Sequence, residues 1–175
     1  MNRRHAISNM VILSVGAAVL PSCGQRDEPA LLKLKNISLT GSEEQAMIQL
    51  ADTILPLKNV KNAADIKPYE FIMHMVDDCY EPASQQQFTA GLKAFEKLAT
   101  SKYNKSFTAL TAAQKLDLLT ELEKKKDVPA DLLYFYDTTK RHTTQAFTSS
   151  AGYMTNVMKY RMVPGSNFKG CVPVG

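Results

Sequence analysis

The fold is decided by residues 68–98, PYEFIMHMVDDCYEPASQQQFTAGLKAFEKL. Apolar residues recur three or four positions apart on both sides of Pro82, which is the spacing of amphipathic helices. Pro68 suits the first turn of one helix, and Pro82 separates that helix from a second over residues 83–98. The two apolar stripes are Phe71, Ile72, Met75, Val76 and Cys79, and then Phe88, Leu92, Phe95 and Leu98. Gly91 inside the second helix predicts a close helix crossing, because an interior glycine otherwise only destabilises a helix by about 1 kcal/mol.

Helical spacing continues outward from this pair. Upstream, Thr40 or Ser42 can cap a helix that ends before Pro56, and Gln45 is the capping-box partner expected for Ser42. Downstream, Thr111 and Gln114 predict the start of a helix with a stripe of Leu116, Leu119 and Leu122. A last long helix runs from about residue 130 through residue 147, and a short helix is predicted over residues 153–159. The second half of the long helix is rich in Ser and Thr, which leaves its end open between residues 149 and 152.

The chain changes character from Tyr160 onward. Two prolines and two internal glycines exclude a helix there, and Pro164-Gly165 is a strong turn signal. The predicted fold is therefore all-α: residues 39–175 form a compact bundle of about five helices with an ordered, irregular C-terminal tail.

Residues 1–23 have the pattern of a targeting segment. Arg3 and Arg4 precede an apolar run of 11 residues, 10–20. As a helix this run would span about 16 Å, against about 30 Å for a hydrocarbon core. The Arg-Arg pair resembles a twin-arginine export signal, and Leu20-Pro21-Ser22-Cys23 resembles a lipobox, which would make Cys23 the lipidated N-terminus. The alternative is a plain signal peptide with an unrelated cysteine.

The sequence thus predicts an exported protein that is periplasmic or anchored to a cell-envelope membrane by lipid. Residues 24–38 are predicted to tether the domain to that membrane. Charge gives no reason to expect a nucleic-acid partner: two of the 21 basic residues are Arg3 and Arg4, which leaves 19 against 17 acidic residues. The chain also has no Trp and no aromatic residues interleaved with Arg for stacking on bases.

No residue is predicted to be catalytic, to bind a cofactor or to ligate a metal. His74 and Asp78 share a helix face, but two ligands do not make a metal site, so a partnered surface histidine is expected. Asp77 and Asp78 are expected to be helix-surface charges. Motifs for zinc hydrolysis, haem attachment, dinucleotide binding and a nucleophile elbow are missing from the sequence.

Cys79 and Cys171 remain as a possible pair once Cys23 is set aside. In an exported protein a disulfide between them would persist, and closing a loop of about 92 residues would stabilise the fold by about 4.6 kcal/mol. A bridge from one of them to another subunit, or two free thiols, are the alternatives.

Several segments together resemble the gluconate 2-dehydrogenase subunit 3 family. They are Leu50-Ala51-Asp52-Thr53-Ile54-Leu55-Pro56, Asp77-Asp78-Cys79-Tyr80, Phe88-Thr89-Ala90-Gly91-Leu92 and, most specifically, the C-terminal run Phe147-Thr148-Ser149-Ser150-x-Gly152 followed by Tyr160-x-x-Val163-Pro164-Gly165-x-x-Phe168-x-Gly170-Cys171-x-Pro173. The likeness covers residues 40 to 175 in the family's order.

The resemblance implies a small exported subunit that is not itself an enzyme. Such subunits partner a large flavoprotein dehydrogenase of the glucose–methanol–choline (GMC) type, which holds FAD and oxidises sugars or polyols. The small subunit's twin-arginine signal carries the folded partner across the membrane, and a cytochrome c subunit often receives the electrons. A lipid anchor on Cys23 would depart from this family pattern.

An interface with the large subunit is expected near the tail. Its candidate residues are Tyr153, Tyr160, Pro164, Gly165, Phe168 and Gly170, because aromatic residues and Met are enriched at interfaces. Core packing is the ordinary role of the eight Met residues. Two other functions stay open: a stand-alone envelope lipoprotein that acts as a binding or scaffold module, and a small enzyme.

Overall fold

The structure is a computed structural model that describes residues 28–57 and 66–160. These residues form six α-helices and no strand. The helices are α1 Gly41–Ile54, α2 Pro68–Cys79, α3 Pro82–Tyr103, α4 Ala112–Glu123, α5 Ala130–Thr148 and α6 Ala151–Asn156, with a 3-10 turn at Phe107–Ala109 before α4. The all-α bundle is confirmed, whereas the predicted tail lies, apart from Tyr160, outside the described residues.

Four phenylalanine rings form the centre of the core. Phe88 and Phe95 on α3 lie 5.0 and 5.7 Å from Phe135 on α5, and Phe107 lies 4.7 Å from Phe95, measured between ring centroids. All four side chains are fully buried. Tilted aromatic pairs at these distances each stabilise the fold by about 0.5–1.5 kcal/mol beyond the contribution of their buried area. Helices α3 and α5 form the most extensive contact in the bundle.

Local signals set most helix starts. Pro68 and Pro82 occupy the first turns of α2 and α3, and Thr111 caps α4 in a capping box with Gln114. Of the two caps predicted for the first helix, Thr40 is the one used, and its capping-box partner is Glu43 instead of the Gln45 expected for Ser42. Ser42 therefore lies inside the first turn, and Gln45 takes no part in the cap.

Helix lengths and buried faces differ in detail from the predictions. The third helix is longer than residues 83–98, and the short helix α6 begins two residues before residue 153. On α2 the buried face is centred on Ile72, Met73 and Val76, while Phe71 and Met75 are half-buried. On α4 Leu118 is buried and Leu116 is 56% exposed. The buried face of α2 turns towards α5, whereas α4 packs on α1, and spacing within one helix does not specify these directions.

Residues 28–40, here called the N-terminal strap, lie against α1 and α2. The strap closes on itself where Ala30 N donates to Leu39 O (3.2 Å) and Gly41 N donates to Glu28 O (2.5 Å). Ile37 is buried in the core, and Leu32 and Leu34 pack against it. Residues 28–38 of the predicted tether are therefore fixed to the bundle.

Two buried carboxylates hold the strap. Glu44 on α1 accepts hydrogen bonds from Leu31 N (2.7 Å), Leu32 N (3.1 Å) and the Tyr69 hydroxyl (2.8 Å). Burial alone would raise the pKa of Glu44, but these three donors outweigh burial and lower it. Burial, together with the Glu44 carboxylate, raises the pKa of Tyr69. The strap is thus tied to α1 through a charged acceptor.

Asp77 on α2 makes the second attachment and corrects the prediction of a surface charge. It is 2% exposed and accepts hydrogen bonds from the backbone N–H groups of three consecutive strap residues, Lys35 (2.7 Å), Asn36 (2.8 Å) and Ile37 (2.9 Å). These donors lower the pKa of Asp77 against the opposing effect of burial. Asn36 Nδ2 also donates to the Asp77 carbonyl (2.8 Å). Asp78, by contrast, is exposed as expected and pairs with Lys35.

The corner between α2 and α3 is closed by a buried glutamine. The Gln85 side-chain amide donates to the carbonyls of Val76 (3.2 Å), Asp77 (2.9 Å) and Tyr80 (3.1 Å). Carbonyls at a helix C-terminus lack partners within the helix. One side chain of α3 therefore satisfies the end of α2.

Candidate partner interface

A cleft of about 590 Å³ opens between the start of α2, the end of α5 and α6. Phe71 gives it an apolar wall, and the residues from α5 and α6 are small. Small side chains leave room for a side chain of another protein to approach the backbone. The lining residues are Ile66, Lys67, Phe71, Ala146, Ser150, Ala151, Gly152 and Thr155.

Helix α6 is built by local contacts. The Ser150 side chain caps it by accepting a hydrogen bond from Tyr153 N (3.2 Å), and the ring of Tyr153 meets that of Phe147 edge-on at 5.1 Å. After the helix Lys159 adopts φ 54°, and Tyr160 N donates to Met154 O (2.8 Å). Lys159 thus turns the chain three residues after the end of α6, in a conformation that glycine adopts most readily. The turn fixes the path of residues 157–160 relative to α6.

Three large apolar side chains lie exposed at this turn. Val157 is 60% exposed, Met158 59% and Tyr160 53%. The first of them lies two residues after Thr155, which lines the cleft. We call the cleft and these three residues the α6 surface. Its combination of an apolar cleft with exposed Met and Tyr is typical of the centre of a protein–protein interface.

The cleft is backed by a buried histidine. His142 on α5 lies 2.7 Å from the Tyr80 hydroxyl through Nε2 and 3.0 Å from Gln145 Oε1 through Nδ1. Arg141 donates to the same hydroxyl, and the Phe71 ring meets the imidazole edge-on at 6.1 Å. Burial lowers the pKa of His142, and the Arg141 charge acts in the same direction. A neutral imidazole with both nitrogens bonded holds the wall of the cleft in place.

Sequence reasoning gave His142 no role. The signal for it was its position on the buried stripe of α5, four residues before Ala146 and seven after Phe135, both of which are buried. His74 fulfils its prediction: it is exposed, and its Nδ1 lies 3.9 Å from Asp78 Oδ2. Among the Met residues, Met47 and Met73 are fully buried, whereas Met158 is exposed on the α6 surface.

Two of the predicted interface residues lie within the described part of the chain. Tyr153 is half-buried on α6, and Tyr160 is exposed just beyond it. Cys79 is exposed at the end of α2, and within the described residues it has no disulfide. Its pairing with Cys171 stays a prediction, because Cys171 lies outside the described residues. The other predicted positions outside them are Arg3, Arg4, Cys23, Pro164, Gly165, Phe168 and Gly170.

The described residues also bear on metal binding and on membrane spanning. Across residues 28–57 and 66–160, no group of three or more His, Cys, Asp or Glu side chains is placed to hold a metal ion. Within the same ranges, no helix has the length and apolar character needed to cross a bilayer.

Comparison with known proteins gives one match. No curated protein and no solved structure matches the chain. A family model described as gluconate 2-dehydrogenase subunit 3 matches residues 41–165, which include all six helices and the first part of the C-terminal run. The chain therefore belongs to the gluconate 2-dehydrogenase subunit 3 family.

Proposed function

We propose that this chain is the non-catalytic small subunit of a larger FAD-dependent sugar or polyol dehydrogenase of the GMC type, located in the periplasm or at a cell-envelope membrane. Membership of a dehydrogenase-subunit family supports association with a larger oxidoreductase. The observation that carries the proposal is the α6 surface, where Val157, Met158 and Tyr160 stand exposed beside an apolar cleft.

The α6 surface has the chemistry to hold a large partner. Fully burying an aliphatic or aromatic side chain contributes about 1.5–3 kcal/mol, and Val157, Met158 and Tyr160 still have more than half of their surface to bury. The cleft gives a projecting side chain of the partner a place to insert. FAD belongs to the partner in this proposal, and the electrons leave it through a cytochrome c subunit.

The second part of the proposed function is export. A twin-arginine signal at Arg3 and Arg4 carries folded cargo, so a partner held on the α6 surface would cross the membrane together with this chain. Lipidation of Cys23 would then anchor the complex at the envelope. In this proposal the small subunit carries the export signal, and the large subunit catalyses the oxidation.

The test is co-purification and localisation in the cells that produce the chain. A tagged chain is expected to recover a large FAD-containing flavoprotein from the envelope, and deletion of the small subunit is expected to leave that flavoprotein in the cytoplasm. Replacing Arg3 and Arg4 with Lys is also expected to leave the flavoprotein in the cytoplasm, although the complex still forms. Recovery of the chain as a monomer, together with normal export of the flavoprotein in the deletion strain, would refute the proposal.

A further inference from the structure

We propose that the outer face of the N-terminal strap is a membrane-contact surface that seats the domain on the bilayer and turns the α6 surface away from it. The occupant of this surface is a lipid bilayer with anionic headgroups. The inference rests on the lipid anchor at Cys23 that forms part of the proposed function.

Chain length limits how far the domain can lie from such an anchor. The strap begins at Glu28, whose carbonyl already accepts a hydrogen bond from Gly41 N. Four residues lie between Glu28 and Cys23, so the two are at most about 18 Å apart when this segment is fully extended. A free tether through residue 38 would instead have allowed about 54 Å. The strap is therefore the part of the described structure that a bilayer meets first.

The outer face of the strap has suitable chemistry. Exposure alternates along it: Leu31, Lys33 and Lys35 are exposed, whereas Leu32 and Leu34 pack against the core. Leu31 is 88% exposed, more than any other large apolar side chain in residues 28–57 and 66–160. Leu31 is followed by two exposed ammonium groups, Lys33 and Lys35, and this arrangement matches the boundary between acyl chains and anionic headgroups. The Lys35 ammonium also lies 3.0 Å from Asp78, which is on the same side of the domain.

The strap cannot swing independently of the bundle. Five of its backbone N–H groups donate to two carboxylates on two different helices, Glu44 on α1 and Asp77 on α2. Two attachment points on separate helices fix an orientation as well as a distance. A bilayer that contacts the strap therefore orients the whole domain.

Helix α2 separates the strap from the α6 surface. Successive residues of an α-helix point about 100° apart, so Tyr69, which joins the strap attachment at Glu44, points about 160° away from Phe71, the wall of the cleft. Asp77 points about 120° away from Phe71 by the same geometry. The attachments at Tyr69 and Asp77 thus lie on a different side of α2 from the wall of the cleft. Asp78, the partner of Lys35, points within about 20° of Phe71 but lies about 10 Å further along the helix, so a bilayer on the strap leaves the cleft free for a folded partner.

The absence of Trp from the sequence allows a direct test. Leu31→Trp, Leu116→Trp and Val157→Trp each introduce a single reporter at an exposed position in the full chain, purified with its lipid. The proteins are reconstituted in vesicles of phosphatidylcholine and phosphatidylglycerol with brominated acyl chains. We expect strong quenching and a blue shift for the reporter at position 31, and little change for the other two. No quenching at position 31, or equal quenching at all three, overturns the proposal.

A second variant tests the orienting role of the strap. Asp77→Asn in the Val157→Trp background weakens one attachment, so the reporter at position 157 is expected to gain quenching, while Asp78→Asn is expected to change nothing. No gain for Asp77→Asn overturns the orienting role. Mass spectrometry of Cys23 and co-purification of the flavoprotein are recorded in parallel. An unquenched reporter at position 31 on a lipidated, flavoprotein-binding chain rejects this inference alone, and a chain without lipid on Cys23 rejects it together with the anchor.

Discussion

The backbone of Gly91 lies directly against the carbonyl group of Asp131: a Cβ atom built on the glycine would lie 2.2 Å from that oxygen and 2.4 Å from Cβ of Phe135. Both distances are far below van der Waals contact. This approach brings α3 and α5 close enough for the rings of Phe88 and Phe95 to meet Phe135. The close crossing predicted at this glycine is confirmed, and it organises the core.

Replacing Gly91 with Ala should therefore destabilise the protein. Helix propensity alone would make Gly91→Ala stabilising by about 1 kcal/mol, but the added methyl group has no space, and overpacking of this kind costs about 1–3 kcal/mol. Urea denaturation measures the net change. The matched control is Ala90→Gly at the exposed neighbouring position, which should lose about 1 kcal/mol through propensity alone. A more stable Gly91→Ala variant would contradict the close contact.

Asp77→Asn should loosen the N-terminal strap. The amide keeps the shape of the side chain but removes the charge that accepts three backbone hydrogen bonds. Hydrogen bonds to charged groups contribute about 1.5–3 kcal/mol, and we expect a loss of that order, with faster proteolysis within residues 28–40. Asp78→Asn is the control, because its exposed pair with Lys35 should contribute less than about 1 kcal/mol. Equal effects of the two substitutions would argue against the buried attachment.

The strap attachments should also make stability depend on acid. The pKa values of Glu44 and Asp77 are lower in the folded protein than their ordinary values of 4.5 and 3.8. Because the unfolded chain takes up protons first as the pH falls, the stabilisation is complete above about pH 5 and is lost as the pH drops towards the folded-state values. Unfolding free energies measured between neutral pH and about pH 3 should fall less steeply for Asp77→Asn than for the unaltered chain. Parallel curves would show that Asp77 does not titrate differently on folding.

A charge on the α6 surface should weaken partner binding without unfolding the domain. Val157→Asp and Met158→Asp place a carboxylate where an apolar side chain would be buried, and truncation or charging of a central interface residue commonly costs 2 kcal/mol or more, about a 30-fold loss of affinity. The expected result is reduced recovery of the flavoprotein in pull-down, with an unchanged thermal midpoint. Leu116→Asp is the matched control, since Leu116 is similarly exposed but lies on α4.

Features encoded within one helix were predictable from the sequence. Pro68, Pro82 and the Thr111–Gln114 box depend on neighbours a few residues away, and the sequence contains both partners of each signal. The cap of α1 was less certain because Thr40 and Ser42 are both good caps. Thr40 is the cap, and the next residue, Gly41, donates its backbone N–H to Glu28 O. This contact depends on the path of the strap.

The features that escaped prediction depend on partners distant in sequence. Asp77 lies in a helix beside another aspartate, and its hydrogen-bond donors are backbone N–H groups about 40 residues upstream. The sequence does not show which backbone N–H groups will donate to a side chain, so a helix-surface charge was predicted for Asp77. His142 likewise gains its role from Tyr80, 62 residues away. Tyr160 is one of the residues predicted from the sequence for a partner interface, and it is exposed on the α6 surface; the interface itself stays a prediction.

The glutamine that closes the α2–α3 corner has a mechanical consequence. Since the amide of Gln85 serves carbonyls of Val76, Asp77 and Tyr80 at once, α2 cannot unwind at its end without disturbing the first turns of α3. The corner is therefore rigid, and a force on the strap at Asp77 is transmitted to α3 instead of unwinding α2. The amide protons of the two helices should accordingly exchange with solvent as one cooperative unit.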